Sequence, residues 1–242
     1  PNQPDCQFPC KNLACVAVAF YILSALRAKL RQLNWFEKNS IPEPNMAHYL
    51  DLVALGTVAD VVPLDQVNRA LVHQGLLRIR AGYGRPGINA LLKIAGKNPA
   101  QLVASDMGFS VAPRLNAAGR LDDISYGIQC LLTDDAVIAL KHAQELEQFN
   151  QDRKTIEQEM QTEALKIVED LVLADQDELP AALCLYQADW HQGVVGLLAS
   201  RIKEKFHRPV AVFARDDIVS KSKPFLYPSI IMLIVSSGKS IP

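Results

Sequence analysis

The 242-residue sequence lacks an excess of charge of either sign and has little glycine or proline. It contains 25 Lys and Arg against 26 Asp and Glu, with 12 Gly, 14 Pro and 49% hydrophobic residues. Disordered and collagen-like chains need far more net charge or far more glycine and proline, so both classes are excluded. The length suits one large or two small globular domains.

Paired cysteine spacing and long apolar runs are lacking as well. Five cysteines form an odd set (Cys6, Cys10, Cys15, Cys130 and Cys184), which predicts neither a disulfide framework nor a zinc site and favours a reducing cytoplasm. The apolar run Cys15–Leu26 is shorter than the roughly 20 residues of a membrane span. Its basic residues follow it, unlike those of a secretory signal. We expect a buried core helix, no membrane contact, and a natural N-terminus upstream of Pro1.

Charge is distributed unevenly along the chain. Residues 134–178 contain 13 acidic and 4 basic residues, so the remainder contains 13 acidic and 21 basic residues. The same segment has apolar residues at three- and four-residue steps, without Gly or Pro from 133 to 179. This pattern predicts one long amphipathic helix, or two in line with a break near Asn150, capped at Thr133–Asp134. At about 1.5 Å per residue, such a helix is longer than the diameter of a small domain. This length indicates that the helix connects two domains.

The two flanks of this helix differ in pattern. Upstream, helical periodicity predicts six helices, at about 13–35, 46–58, 68–80, 87–95, 102–110 and 125–132. Downstream, the short apolar runs 182–186 and 210–213 flank a helical stretch at about 194–206. Strand, helix and strand in this order predict a βαβ unit with parallel strands. The sequence therefore predicts an α/β protein with a mostly helical first part, a connector and a small α/β domain.

Asp60 is the first candidate for chemistry, within the apolar stretch Asp51–Leu64. An ionised carboxylate among apolar residues needs compensation. A divalent cation, a helix N-terminus or an arginine can provide it, and on the residues alone the two structural explanations are favoured over the cation.

A second candidate lies between Pro113 and Gly119, which predict a short turn. Arg114, Asn116 and Arg120 are close together there, and guanidinium groups suit bidentate contact with phosphate. Ion pairs of the two arginines with Asp106, Asp122 or Asp123 explain the same residues equally well.

A third candidate follows the first predicted strand, from Asp189 to Arg201. Its Gly193-x-x-Gly196 turn directs backbone N–H groups and a helix N-terminus outward, so an anion site is expected. The spacing matches neither a dinucleotide loop nor a Walker loop. His191 could act as a general base, as a hydrogen-bond donor to a phosphate, or as a helix cap. Taken alone, the residue favours the helix cap.

These segments resemble motifs of the single-stranded-DNA-specific exonucleases of the DHH phosphoesterase superfamily. The matching stretches are LDLVALGTVADVVPLDQVNRALVHQGL, FSVAPRLNAAGRLDD and WHQGVVGLLASRIKEKFHRPV, within a resemblance that covers about residues 1–215. It implies the C-terminal part of a DHH catalytic domain (1–132), a connector helix (133–179), a partial DHHA1 domain (180–217) and an unaligned tail (218–242).

The resemblance also implies a function. The intact parent would be a 5′-to-3′ exonuclease of DNA repair and recombination that hydrolyses phosphodiester bonds of single-stranded DNA with two Mn²⁺ or Mg²⁺ ions. Asp60 would be a catalytic metal ligand, whereas the nucleic-acid contacts would be Arg114, Asn116, Arg120, His191, Gln192 and Arg201. We expect a cytoplasmic monomer.

Two departures from the family limit this expectation. The family's early Asp motif is not in this sequence, and its Asp-His-His motif is excluded because no two of the five histidines are adjacent. Residues 218–242 do not align with the family, so we expect them to lie outside the folded second domain. A non-catalytic nucleic-acid-binding or structural remnant is the alternative, and in either case the isolated chain should lack nuclease activity.

Overall fold

A computed structural model describes residues 3–174 and 179–215, together with the backbone of residues 230–235. Its main helices are α1 Cys15–Gln32, α2 Trp35–Lys38, α3 Leu50–Ala59, α4 Gln66–Arg78, α5 Pro86–Ile94, α6 Ala104–Asp106, α7 Ala112–Leu121, α8 Ser125–Leu132, α9 Ala136–Ala174 and α10 Val195–Phe206. Its strands are β1 Leu183–Tyr186, β2 Val210–Arg215 and β3 Ile230–Val235. The predicted α/β class with a helical first part is confirmed.

The chain divides into two compact units. The first contains the residues up to Gly119 and Asp123–Gln148; the second contains Arg120–Asp122 and the residues from Phe149 onward. The predicted domain limits at 132 and 179 remain predictions. No helix within the described ranges has the length and hydropathy of a membrane span.

Close helix packing organises the first unit. A side chain on Gly75 of α4 would lie 2.2 Å from the carbonyl oxygen of Leu50 in α3, so glycine is needed where these two helices meet. The core beside them contains large side chains with 0–1% exposure, among them Ile79, Ile88, Leu91 and Met107. This packing fixes the C-terminal end of α3, where Asp60 follows.

Helix α1 is only partly buried, which corrects the prediction of a buried core helix. Ala17 is buried, whereas Ile22, Leu23 and Leu26 are 62%, 47% and 50% exposed. The run is apolar around the whole helix, so packing one face against α3 leaves its other apolar side chains in contact with solvent.

The long helix α9 is continuous from Ala136 to Ala174, so the alternative with a break near Asn150 is wrong. Its cap also differs from the prediction, because Asp135 rather than Thr133–Asp134 accepts hydrogen bonds from the backbone N–H groups of Val137 and Ile138. Thr133 instead accepts a hydrogen bond from the N–H of Asp135, 3.2 Å away.

The second unit contains the predicted βαβ arrangement. Strands β1 and β2 are parallel, with Leu183 opposite Val210 and Tyr186 opposite Phe213. Apolar residues of α9, α10 and both strands form its core, including Met160, Val168, Leu185, Leu198 and Val212.

Residues 230–235 correct the expectation for the tail. They form β3, which pairs antiparallel with β2 from Val210↔Val235 to Arg215↔Ile230. A third strand supplies partners for the backbone groups on the second side of β2, which favours pairing of an apolar segment that could otherwise aggregate. The other tail positions lie outside the described residues.

Candidate nucleic-acid interface

Asp60 is exposed and ends α3 as its C-cap. The expectation of a carboxylate enclosed by apolar residues is therefore wrong, because the apolar neighbours in α3 turn toward the core while the last turn reaches solvent. Val61 follows with φ of +53° and 87% exposure. A β-branched residue rarely adopts this left-handed conformation, so the backbone beside Asp60 is strained.

The loop after Asp60 is held from α4. The buried Asn68 amide donates to the carbonyl oxygens of Pro63 (2.9 Å) and Asn12 (2.8 Å). Asp65 caps α4 by accepting a hydrogen bond from the N–H of Asn68, and this hydrogen bond is the main reason why the pKa of Asp65 is lowered. These hydrogen bonds hold the loop between the end of α3 and the start of α4.

Asp60 alone does not fit a two-metal centre. The described parts of the chain hold no group of three or more His, Cys, Asp or Glu side chains that could bind a metal ion. Divalent cations such as Mg²⁺ and Mn²⁺ prefer several oxygen ligands, and a two-metal site needs ligands for both ions. The described residues alone therefore do not form a two-metal centre.

The buried carboxylate of this motif is Asp51, which the sequence did not single out. It is 1% exposed and accepts hydrogen bonds from the backbone N–H (3.0 Å) and Nε (3.1 Å) of Arg85. An arginine thus compensates a buried carboxylate in this segment. This explanation was one of the alternatives for Asp60, but it applies to Asp51.

Arg114 lies in helix α7, not in a turn between Pro113 and Gly119 as predicted. Pro113 is the second residue of α7, where its fixed φ is helical. The Arg114 side chain, 12% exposed, forms an ion pair with Glu147 and donates to the carbonyl oxygen of Ser110. Arg114 is therefore ion-paired, although none of the three predicted aspartates is the partner.

Asn116 and Arg120 are the exposed polar residues of the same motif. The Asn116 side chain makes no hydrogen bond to other described residues. Arg120 donates through Nη1 to the carbonyl oxygen of Gly193, 3.1 Å away, within the second unit. Its remaining guanidinium N–H groups are not used in that bond, so Arg120 has donors left for a phosphate.

The turn at His191–Gly193 is built differently from the expected anion site. The N–H of Gly193 donates to Nδ1 of His191 (3.1 Å), so it does not point outward as a free donor. Because Nδ1 is the acceptor, neutral His191 carries its proton on Nε2, which can donate to a ligand. His191 and Gln192 are both half-buried.

Arg201 is paired within the second unit. Its Nε lies 3.1 Å from Glu157 Oε1, and its Nη1 lies 3.7 Å from Glu204. Glu157 is buried and also pairs with Arg153, four residues earlier on α9. Arg201 can meet a phosphate only by leaving Glu157 or by sharing it.

Three glutamates on α9 were missed by sequence reasoning: Glu147, Glu157 and Glu163. Each contacts a residue of one of the predicted motifs. Glu147 forms an ion pair with Arg114, Glu157 accepts a hydrogen bond from Arg201, and Glu163 accepts one from Trp190. Only the Arg153–Glu157 spacing was visible in the sequence as an i, i+4 pair. The other contacts depend on tertiary packing.

A helical first unit followed by a βαβ unit, with these three motifs in order, is the arrangement expected of a DHH-type exonuclease. Over most of its length, the chain is similar to one segment of the RecJ proteins. It matches no family model.

The similarity is to curated relatives named single-stranded-DNA-specific exonuclease RecJ. The protein from Dickeya dadantii is 59% identical over 214 residues, which are 88% of this chain and 37% of the relative. The Escherichia coli protein is 58% identical with the same coverage, and that from Bacillus subtilis is 36% identical over 90% of this chain and 25% of the relative. The chain thus spans little more than a third of the Dickeya dadantii and Escherichia coli relatives and a quarter of the Bacillus subtilis relative.

Solved RecJ structures have the same fold. A Thermus thermophilus RecJ crystal structure in complex with Mg²⁺ aligns with a TM-score of 0.61 and 38% identity, covering 74% of this chain and 27% of that chain. A RecJ exonuclease structure bound to manganese aligns with a TM-score of 0.61 and 37% identity over 74% of this chain and 43% of that chain.

Proposed function

We propose that this chain is the part of a single-stranded-DNA-specific exonuclease that contributes strand-binding residues and one metal ligand. The observation that carries the proposal is 59% identity, over 88% of the chain, to a relative named as such an exonuclease. The intact protein would degrade single strands from the 5′ end, in DNA repair and recombination. We place it in the cytoplasm as a monomer, with domain limits at residues 132 and 179.

Asp60 is the proposed ligand for Mn²⁺ or Mg²⁺, the ions bound by the solved relatives. Its exposure at the end of α3 and the contacts that hold the following loop support this role, because a ligand must be accessible and fixed. One carboxylate does not hold two ions, so further ligands would have to come from the parts of the relatives that this chain does not match.

The proposed contacts with the DNA backbone are Arg114 and Asn116 in the first unit, and Arg120, His191, Gln192 and Arg201 in the second. Asn116, Arg120 and the Nε2 of His191 have unused hydrogen-bonding groups, so they are the better-supported members. Contacts of this kind position a strand without recognising its sequence.

The isolated chain is expected to bind single-stranded DNA without hydrolysing it. A fluorescein-labelled oligonucleotide measures binding by anisotropy, and release of nucleotides from a 5′-labelled strand with Mn²⁺ measures hydrolysis. Binding is expected because the proposed contacts are present, and hydrolysis is not, because most metal ligands are missing. Metal-dependent release of nucleotides by the purified chain would contradict the prediction.

A chimera separates the nuclease from the non-catalytic alternative. Residues 1–215 replace the matching segment of the Escherichia coli relative, and the chimera is assayed on single-stranded DNA. Hydrolysis by the chimera that is lost in its Asp60→Asn variant supports the proposal. A folded chimera that binds the strand but does not cleave it would favour the non-catalytic remnant.

Arg120 and Arg114 should differ in the salt dependence of DNA binding. Arg120→Ala is expected to lower the slope of log Kd against log salt by about 0.7, the value for one phosphate of a single strand, because its guanidinium has unused donors. Arg114→Ala is expected to change the slope less, because Glu147 already neutralises that guanidinium. Anisotropy titrations at several salt concentrations measure both slopes. Equal slopes for Arg120→Ala and the unmodified chain would show that Arg120 serves only the turn at Gly193.

A further inference from the structure

Trp190 joins the core of the second unit to the predicted DNA-contacting turn. The residue is 4% exposed and directly precedes His191. Its indole Nε1 donates a 2.7 Å hydrogen bond to Oε2 of Glu163 on α9. A buried indole N–H needs an acceptor, and a charged acceptor makes a stronger bond than a neutral one.

The other end of the turn is fixed by backbone contact. A side chain at Gly193 would lie 2.0 Å from the carbonyl oxygen of Arg120, and Arg120 Nη1 donates to the carbonyl oxygen of Gly193. Between these two anchors, the N–H of Gly193 donates to Nδ1 of His191. The orientation of the His191 ring therefore depends on both ends of a three-residue turn.

Glu163 has no cationic partner in the described parts of the chain. It lies on the exposed side of α9, and its hydrogen bond to Trp190 spans 27 residues of sequence. Glutamate suits an exposed helical position, but helix propensity does not account for a hydrogen bond to a buried indole. Within the described residues, the side-chain hydrogen bond of Glu163 is to Trp190, the residue before His191.

We propose that Glu163 is a positioning residue, which holds Trp190 and thereby orients the His191–Gly193 turn for contact with a phosphodiester backbone. The inference rests on the proposed function for its DNA-binding consequence, whereas the orientation of the turn is independent of it. Glu163 itself touches no strand. Its effect passes through the indole and the backbone of residues 190–193.

The test uses the full chain with Trp35→Phe, so that Trp190 is the single tryptophan. Glu163→Leu removes the acceptor, Glu163→Gln retains an oxygen acceptor without the charge, and Glu163→Asp withdraws the carboxylate by one methylene. Glu169→Leu and Glu169→Gln are matched controls, because Glu169 is an exposed residue of the same helix whose side chain makes no hydrogen bond to other described residues. The readouts are Trp190 emission, hydrogen exchange of the Gly193 amide, and Kd for single-stranded DNA.

The two effects of Glu163 on DNA binding have opposite signs. Loss of an acidic charge alone strengthens binding to a polyanion, and Glu169→Leu measures that effect. Loss of positioning weakens it. We expect Glu163→Leu to bind about threefold to tenfold more weakly than Glu169→Leu, as for a hydrogen bond of ordinary strength. Gly193 should exchange faster and Trp190 emission should shift to the red, while Glu163→Gln restores most of each property.

The outcomes separate this inference from the proposed function. Unchanged Gly193 exchange in Glu163→Leu overturns the inference, as does faster exchange with undiminished affinity for DNA. If the unmodified chain does not bind single strands, the proposed function fails, and Gly193 exchange alone decides whether Glu163 positions the turn. Should Glu163→Leu not fold, Glu163→Asp is compared with the unmodified chain, because it keeps the charge and only withdraws the carboxylate from Trp190.

Discussion

Replacing Asp51 by alanine is expected to lower the free energy of unfolding by about 3–5 kcal/mol, the usual cost of breaking a buried ion pair. Asp51 is 1% exposed and accepts two hydrogen bonds from Arg85 and one from the backbone N–H of Leu52. Arg85 also donates to the carbonyl oxygens of Leu131 and His48. Removal of Asp51 would leave the guanidinium without its counter-charge at the point where α3, α5 and α8 are tied together.

An exposed ion pair provides the control. Glu43 pairs with Arg31, whose side chain is 57% exposed, and with Arg27, so Glu43→Ala is expected to lower the free energy of unfolding much less than Asp51→Ala does. Urea denaturation of both variants measures the difference. The double variant Asp51→Ala with Arg85→Leu should lose less stability than the sum of the single changes, because no buried charge is left unpaired. A loss for Asp51→Ala as small as that for Glu43→Ala would contradict the role assigned to the pair.

The regular elements could be predicted because their periodicity is local. The connector helix, the βαβ unit and helices near 50–59, 66–78 and 86–94 follow from apolar spacing and from Pro and Gly punctuation. Helix α7 was missed because Pro113 and Gly119 are typical of turns. Pro113 lies just after the π-helical segment Met107–Val111, which runs into α7 without a break, and Gly119 is accommodated in the helix next to Ile124.

The environment of charged residues could not be predicted from the sequence. Apolar neighbours in sequence suggested that Asp60 is enclosed, yet the helical twist places Asp51 in the core and Asp60 in solvent. The ion partner of Arg114 is Glu147, 33 residues later, and the turn at His191 depends on Glu163, 28 residues earlier. Such contacts depend on tertiary packing within each unit, which local sequence patterns do not reveal. The metal-ligand and DNA-contact assignments remain predictions.

Gly193→Ala is expected to disrupt the turn between β1 and α10 more than any change of its side chains. The added Cβ would lie 2.0 Å from the carbonyl oxygen of Arg120 and 2.9 Å from its carbonyl carbon. Both atoms belong to the backbone, so no flexible side chain can move aside. The turn must separate from residues 120–122, at a cost of about 1–3 kcal/mol for overpacking. The hydrogen bond from Arg120 to Gly193 and the orientation of His191 would be lost together.

Gly119→Ala is the matched control for Gly193→Ala, one residue before Arg120. Its Cβ would meet the tip of the Ile124 side chain at 3.3 Å, and alanine is about 1 kcal/mol better than glycine inside a helix. Thermal unfolding should therefore show a Tm lower by several degrees for Gly193→Ala and an unchanged or higher Tm for Gly119→Ala. Affinity for single-stranded DNA should fall only in Gly193→Ala. If Gly193→Ala keeps both the Tm and the affinity of the unmodified chain, the backbone contact with Arg120 does not fix the turn, and the orientation of His191 must have another cause.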